Sequence, residues 1–179
     1  MGPKLLLCIL AAAIAAFAQT DSWESTVAAA YRAYESGRLR EAENYFAAAL
    51  EQARKLPPQD PRFATSLNNL AALYDSMGRY KEAQPLYVQA LGLMEKNLGP
   101  DHPSVATALN NLAELYRAHG RYAEAELLHR RALGIREKAL GPNHPEVAQS
   151  LSNLGRILDL RGQLDAAEKL YLRRRTNRD

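Results

Sequence analysis

Few side chains in this sequence could do chemistry, and their spacing is unusual. Among its 179 residues are four histidines, one cysteine and 20 carboxylates. His102 and His144 lie 42 residues apart, each followed by proline. Two histidines could ligate a metal, but these sit on separate segments, and no cysteine or acidic cluster completes a tetrahedral set. A helix start is the simpler reading, because proline is tolerated at the first helical position, where its missing N–H would be unpaired anyway. Asp60-Pro61 reads the same way, with aspartate the better cap and the two histidines poorer ones. His119, beside Gly120, is expected to be solvated. Glu126 stands four residues before Arg130, ordinary pairing along a helix surface. No serine occupies a nucleophile elbow and no glycine-rich loop follows a strand. No catalytic constellation emerges, and the sequence asks for no metal and no cofactor.

The elements that must position these residues are written as a repeat. Leu67, Leu109 and Leu151 are 42 apart, as are Gly78, Gly120 and Gly162, while Gly37 lies 41 before Gly78. The repetition divides the chain into units of about 22–61, 62–103, 104–145 and 146–179. In the second unit Leu67, Leu70, Ala71 and Tyr74 fall at i, i+3, i+4 and i+7, one face of a helix. Gly78 then stops it, as glycine does where the chain needs positive φ. A second apolar face follows, with Ala83, Leu86, Tyr87, Ala90, Leu91 and Met94, and Gly99-Pro100 ends it. Pro85 reads as lying near the start of that helix, where a lost N–H costs least. Nothing alternates with period two, so no sheet is expected. One hairpin cannot bury its apolar face alone, but stacked hairpins can. The expected fold is all-α, a right-handed α-solenoid of about four helix-turn-helix units. Asn69, Asn111 and Asn153 recur in three successive units, which points to a structural hydrogen bond between helices.

The ends of the chain carry different signals. Lys4, the apolar run Leu5–Phe17 and the Ala16-Phe17-Ala18 site before Gln19 read as a signal peptide over residues 1–18. Thirteen apolar residues fall short of the roughly 17–25 that a spanning helix needs. Cys8 would leave with the leader, so residues 19–179 are expected to be an exported domain, periplasmic or secreted, held by packing alone. Without Lys4 and the final Arg173, Arg174, Arg175, Arg178 and Asp179, the body holds 18 basic against 19 acidic residues. Such a body does not suit nucleic acid. The run RRRTNRD is expected to be a fraying helix end, where cations are favoured. An exposed flank of Leu158, Leu160 and Leu170 would allow self-association.

The segments LNNLAALYDSMGRYKEAQPLY and LNNLAELYRAHGRYAEAELLH resemble the tetratricopeptide repeat, whose small and large positions map onto Leu67, Leu70, Ala71, Tyr74, Gly78, Tyr80, Ala83, Tyr87 and Ala90. The next unit matches at Leu109, Leu112, Ala113, Tyr116, Gly120, Tyr122, Ala125, His129 and Ala132. The 42-residue period and the shared LGP-x-HP-x-VA link are similar to the kinesin light chain class. The resemblance covers about Asp60 to Tyr171; the first unit matches only at Ala30, Gly37, Ala42, Phe46 and Ala49. His129 and Leu158 depart from it, standing where an apolar or aromatic residue and a tyrosine are usual. The resemblance implies a protein-interaction scaffold whose first helices line a concave groove for a peptide or protein segment. The asparagine after the first leucine would face that groove and bond a partner's backbone: Asn68 and Asn110, with Ser152 as a departure. The next groove positions would hold Ala72, Glu114 and Arg156, then Asp75, Arg117 and Asp159. The alternatives left open are a self-assembly module and a regulatory array belonging to a larger effector protein.

Overall fold

The structure, a computed structural model, describes residues 22–176, so the expected signal peptide and the last three residues lie outside the described residues. Eight helices occur among them: α1 (Trp23–Glu35), α2 (Leu39–Arg54), α3 (Pro61–Ser76), α4 (Tyr80–Leu98), α5 (Pro103–Ala118), α6 (Tyr122–Leu140), α7 (Pro145–Leu160) and α8 (Leu164–Thr176). No strand is present among the described residues. The helices belong to two compact units, one running to Leu73 and the other from Tyr74.

The first unit holds α1, α2 and most of α3. Its core is built from small residues, Ala30, Ala33, Ala42 and Ala49, with Phe46, Leu50, Leu67 and Leu70 filling between them. Alanine lets helix backbones approach closely, so larger side chains are needed only where the helices diverge. Ser22 caps α1 by accepting from the Ser25 N–H at 3.1 Å. Trp23 ties α1 to α3, its indole N–H donating to the Ser66 hydroxyl at 2.7 Å.

In the second unit the turns repeat as the sequence does. Gly78, Gly120 and Gly162 adopt φ of 71°, 73° and 74°. Each is followed by the same closing bond, from Arg79 to the Tyr74 carbonyl (2.8 Å), Arg121 to Tyr116 (2.9 Å) and Gln163 to Leu158 (2.9 Å). This pattern satisfies carbonyls that a helix end leaves orphaned, and it needs a left-handed residue, hence glycine. Leu158 in place of tyrosine does not disturb it, because the acceptor is backbone. Arg79 and Arg121 then fold back over the Tyr74 and Tyr116 rings, each 4.1 Å from the centroid.

The helix starts also repeat. Asp60 Oδ1 accepts from the Arg62 N–H at 3.0 Å. His102 and His144 make the equivalent bond with ring Nδ1, accepting from Ser104 (3.1 Å) and Glu146 (3.2 Å). The histidines expected to be poorer caps thus perform the same task. Pro85 departs from expectation: it lies inside α4, past its first turn, and removes an interior donor.

Successive hairpins of this unit share cores. Val105, Ala106 and Leu109 of α5 meet Ala132 and Ile135 of α6, with Leu91 and Met94 of α4 packed on. Ala113, Ala125 and Ile157 join α5, α6 and α7. Leu133, Val147, Leu151, Leu154, Leu158 and Ala167 close α6, α7 and α8 together. Leu158 is 2% exposed and Leu170 packs against the same cluster, so the expected apolar flank keeps only Leu160 of its three residues. Glu126 is a second correction. It is 5% exposed, and besides Arg130 (2.5 Å) it takes Arg161 of the next hairpin. The i, i+4 spacing could not show that a third charge arrives from 35 residues away.

Candidate functional site: the faces of the first helices

Four of the groove positions inferred from the sequence, Asn110, Glu114, Arg117 and Arg156, come together in the second unit, on α5 and α7. The Asn153 side-chain amide donates to Asn110 Oδ1 at 2.8 Å, joining the two helices. One turn further on, Arg156 donates to Glu114 Oε1 at 2.8 Å, and Arg117 donates to Glu114 Oε2 at the same distance. His129 of α6 backs the carboxylate, with Nε2 3.3 Å from Oε1. Burial would raise the Glu114 carboxyl; His129, Arg117 and Arg156 overcome it and hold the group at about 2. Glu114 is therefore a fixed anion that orients two arginines. His129, 1% exposed, stands where the repeat carries an apolar or aromatic residue.

The remaining positions are distributed around this core. Burial pushes the Asp75 carboxyl up, reinforced by Glu114 and opposed by His119 and Arg117. His119 is exposed, as expected, with its ring 3.9 Å from that of Tyr80. Asp159 accepts from the Tyr171 hydroxyl at 2.6 Å. Ser152 accepts from Arg174 at 3.0 Å, and Arg173 pairs with Glu137 at 2.6 Å. Arg173, Arg174 and Arg175 lie in the last turn of α8, as expected of cations at a helix end, and the first two reach back to α6 and α7. Asn68 lies in the first unit, half-buried on α3. Asn110 accepts one bond from Asn153 with its carbonyl oxygen, which carries a second acceptor lone pair.

One site shares only Ala72 with the inferred set. In the first unit Tyr31, Tyr34, Phe46, Asn69, Ala72 and Leu73 line a cavity of about 120 Å³. Tyr31 stands edge-on to Phe46, with ring centroids 5.2 Å apart, and its hydroxyl donates to Asn69 Oδ1 at 3.1 Å. Asn69 thus makes the interhelical bond expected of it. Tyr31 and Tyr34 stay 46% and 41% exposed. The available signal was two tyrosines three apart on α1, in the unit whose first helix lacks the NNLA run.

Repeated helical hairpins, the second helix of each packed on the first helix of the next, define a helical-repeat protein of the α-solenoid class. The tetratricopeptide repeat family profile matches residues 18–96, 62–138 and 128–178. The chain belongs to the tetratricopeptide repeat family, in its kinesin-light-chain-like class. No curated protein matches it. Among solved structures it is similar to BtubC (BKLC) from P. vanneervenii, at 27% identity and TM-score 0.80, over 87% of this chain and 63% of that one. It is also similar to a Podospora anserina protein named for kinesin light chain, with nearly identical TPR-like repeats: 26% identity, TM-score 0.76, over 97% and 86% of the two chains. The apo form of RapI shares the fold at 17% identity and TM-score 0.78, over 98% of this chain and 64% of that one. The chain thus spans less than two thirds of BtubC and of RapI. Such a fold makes the protein an interaction scaffold. No helix among the described residues is long and apolar enough to cross a membrane.

Proposed function

We propose that the chain is an exported, non-catalytic scaffold that docks a segment of a protein partner on the α5 and α7 faces of its second unit. One observation carries this reading: the two helices are joined by an amide bond, Asn153 to Asn110, and by a carboxylate–guanidinium bond, Glu114 to Arg156, in register one turn apart. Groups held in this way are presented without a large ordering cost at the moment of binding. The face is mixed in sign, with Arg117 and Arg156 set against Glu114, Asp75 and Asp159, so it suits a partner of mixed polarity. A crystallised neighbour, a Rap protein, is complexed with Competence and Sporulation Factor; at 21% identity it supports the fold, and it shows the fold type accommodating a partner.

The test is capture from an extract of the source cell. Asn110→Ala combined with Arg156→Ala should lose the proteins that the parent chain retains. Leu127→Ser, on a side chain 68% exposed on α6, should retain them. Equal retention by all three proteins would refute docking on this face. For export, mass spectrometry of native protein should find Gln19 at the N-terminus, and a chain retaining Leu5 would refute it.

Self-association is the second reading, because Leu160, Leu164 and Leu172 are 47%, 65% and 50% exposed around the last hairpin. Light scattering distinguishes it: a mass that does not rise with concentration excludes it.

A further inference from the structure

We propose that the outward side of α8 pairs with the same side of α8 in a second copy of this chain, antiparallel and across a two-fold axis. This rests on the self-association reading above and names its surface and its partner. An interface already present in the fold supplies the pattern. Glu126, in the second turn of α6, is ion-paired with Arg161 at the end of α7. Arg136, further along α6, donates to Ser150 in the second turn of α7 at 2.7 Å. The two helices therefore run antiparallel, with a carboxylate near the start of one held by a guanidinium at the end of the other. Leu133 fills the space between these contacts, against Val147 and Leu151 of α7.

The α8 helix repeats this face one period later. Leu164, Glu168, Leu172 and Arg175 stand 42 residues after Tyr122, Glu126, Arg130 and Leu133. Their spacing, i, i+4, i+8 and i+11, lays them along one side of a helix. Glu126 and Leu133 are buried, whereas all four residues of α8 are exposed. Neither Glu168 nor Arg175 has an ion pair among the described residues. Arginine at the position of Leu133 decides the occupant. One helix now carries both halves of the Glu126–Arg161 pairing, a carboxylate in its second turn and a guanidinium in its last. An antiparallel copy brings Glu168 opposite Arg175 twice, once on each side of the axis, and sets Leu172 against its own counterpart between the two pairs. The rest of the helix agrees, with Asp165 in its first turn and arginines in its last, so the acidic end of each copy faces the basic end of the other. A parallel copy would set like charge against like. Such self-complementarity is what a two-fold interface requires.

The test is sedimentation equilibrium of the full chain over rising concentration. A single helix pair is a small interface, so association should be weak. Raising the salt from about 0.05 M to about 0.5 M should weaken it several-fold, because exposed ion pairs are screened. Glu168→Arg and Arg175→Glu should each weaken the dimer on the order of a hundred-fold, since both contacts become like-charged. An equimolar mixture of these two variants should recover the parent's association, because each supplies the charge that the other lacks, and recovery shows that both are folded. Leu172→Asp should lose the dimer as well. Association that survives either charge reversal, or that the mixture does not restore, would overturn this interface while leaving self-association through another surface standing. A parent chain that stays monomeric at every concentration would remove both. Neither result bears on the capture experiment at α5 and α7.

Discussion

Glu114 gathers two guanidinium groups and an imidazole around one carboxylate. Its folded pKa of about 2 lies below the ordinary 4.5. A depressed carboxyl contributes stability in full above its unfolded value and loses it as the pH falls toward its folded value. The parent protein should therefore lose stability between about pH 4.5 and pH 2 partly through this residue. Glu114→Gln should be less stable by about 1–3 kcal/mol at pH 7, as expected when a charged hydrogen-bond partner is removed, and should lose less on acidification. Urea titrations of both proteins at pH 7 and pH 3 check this; parallel acid losses would count against it. His129 behaves differently. Its Nδ1 is buried without a hydrogen-bond partner, and Nε2 is not aligned to make a hydrogen bond. His129→Leu exchanges an unsatisfied buried polar atom for apolar contact but also removes one of the groups that hold Glu114 ionised, so the two effects oppose and stability should change by less than about 1 kcal/mol. A loss above about 3 kcal/mol in denaturant titration would show that the ring bonds Glu114 more strongly than its geometry indicates.

Two contacts between elements invite tests of packing. Gly155 of α7 has no room for a side chain, since a Cβ there would lie 2.6 Å from Tyr171 Cε1. Gly155→Ala should push the ring aside, break its 2.6 Å bond to Asp159 and cost about 1–3 kcal/mol, the usual range for overpacking. The double variant with Tyr171→Ala should lose less than the sum of the two single losses, a coupling that a double-mutant cycle measures. At the start of α7, His144→Ala should cost about 0.5–2 kcal/mol, whereas His144→Asp should hold or raise the melting temperature, because aspartate is the stronger cap.

Much of this element-level structure was legible in the sequence. The Leu67, Leu109 and Leu151 series is fully buried as its spacing required, and the glycine series turns at one common angle. Both are properties of local periodicity. That Asn153 would bond between helices was legible; its partner Asn110, the burial of Glu126 and the return of Arg174 onto Ser152 were not. Each depends on which rotamer meets which neighbour across hairpins, and periodicity carries no such information. The cavity was missed for a related reason, since Tyr31, Phe46 and Asn69 come from three helices and form a motif only once those helices are packed.

For the molecule as a whole, the distribution of charge matters more than its sum. The formal +3 resides in the chain ends, and many of the body's cations are internally matched, as Arg131 is by Glu95, Lys138 by Asp101 and Arg121 by Glu124. A surface without a one-sign field gains little from counterion release. The purified protein should elute from heparin at an ionic strength below about 0.2 M; retention beyond that would indicate a basic surface that these pairings do not suggest.

The recurring turn angle also bears on how such a gene can change length. Gly78, Gly120 and Gly162 return the backbone to one conformation every 42 residues. Excising or duplicating 126 nucleotides in frame between equivalent codons would join two segments that already fit. A cut of any other size must be absorbed in a link, as the one-residue shortfall after Gly37 has been. Recombination between near-identical segments therefore supplies whole hairpins as its natural increment, and alleles of this locus should differ by multiples of that number.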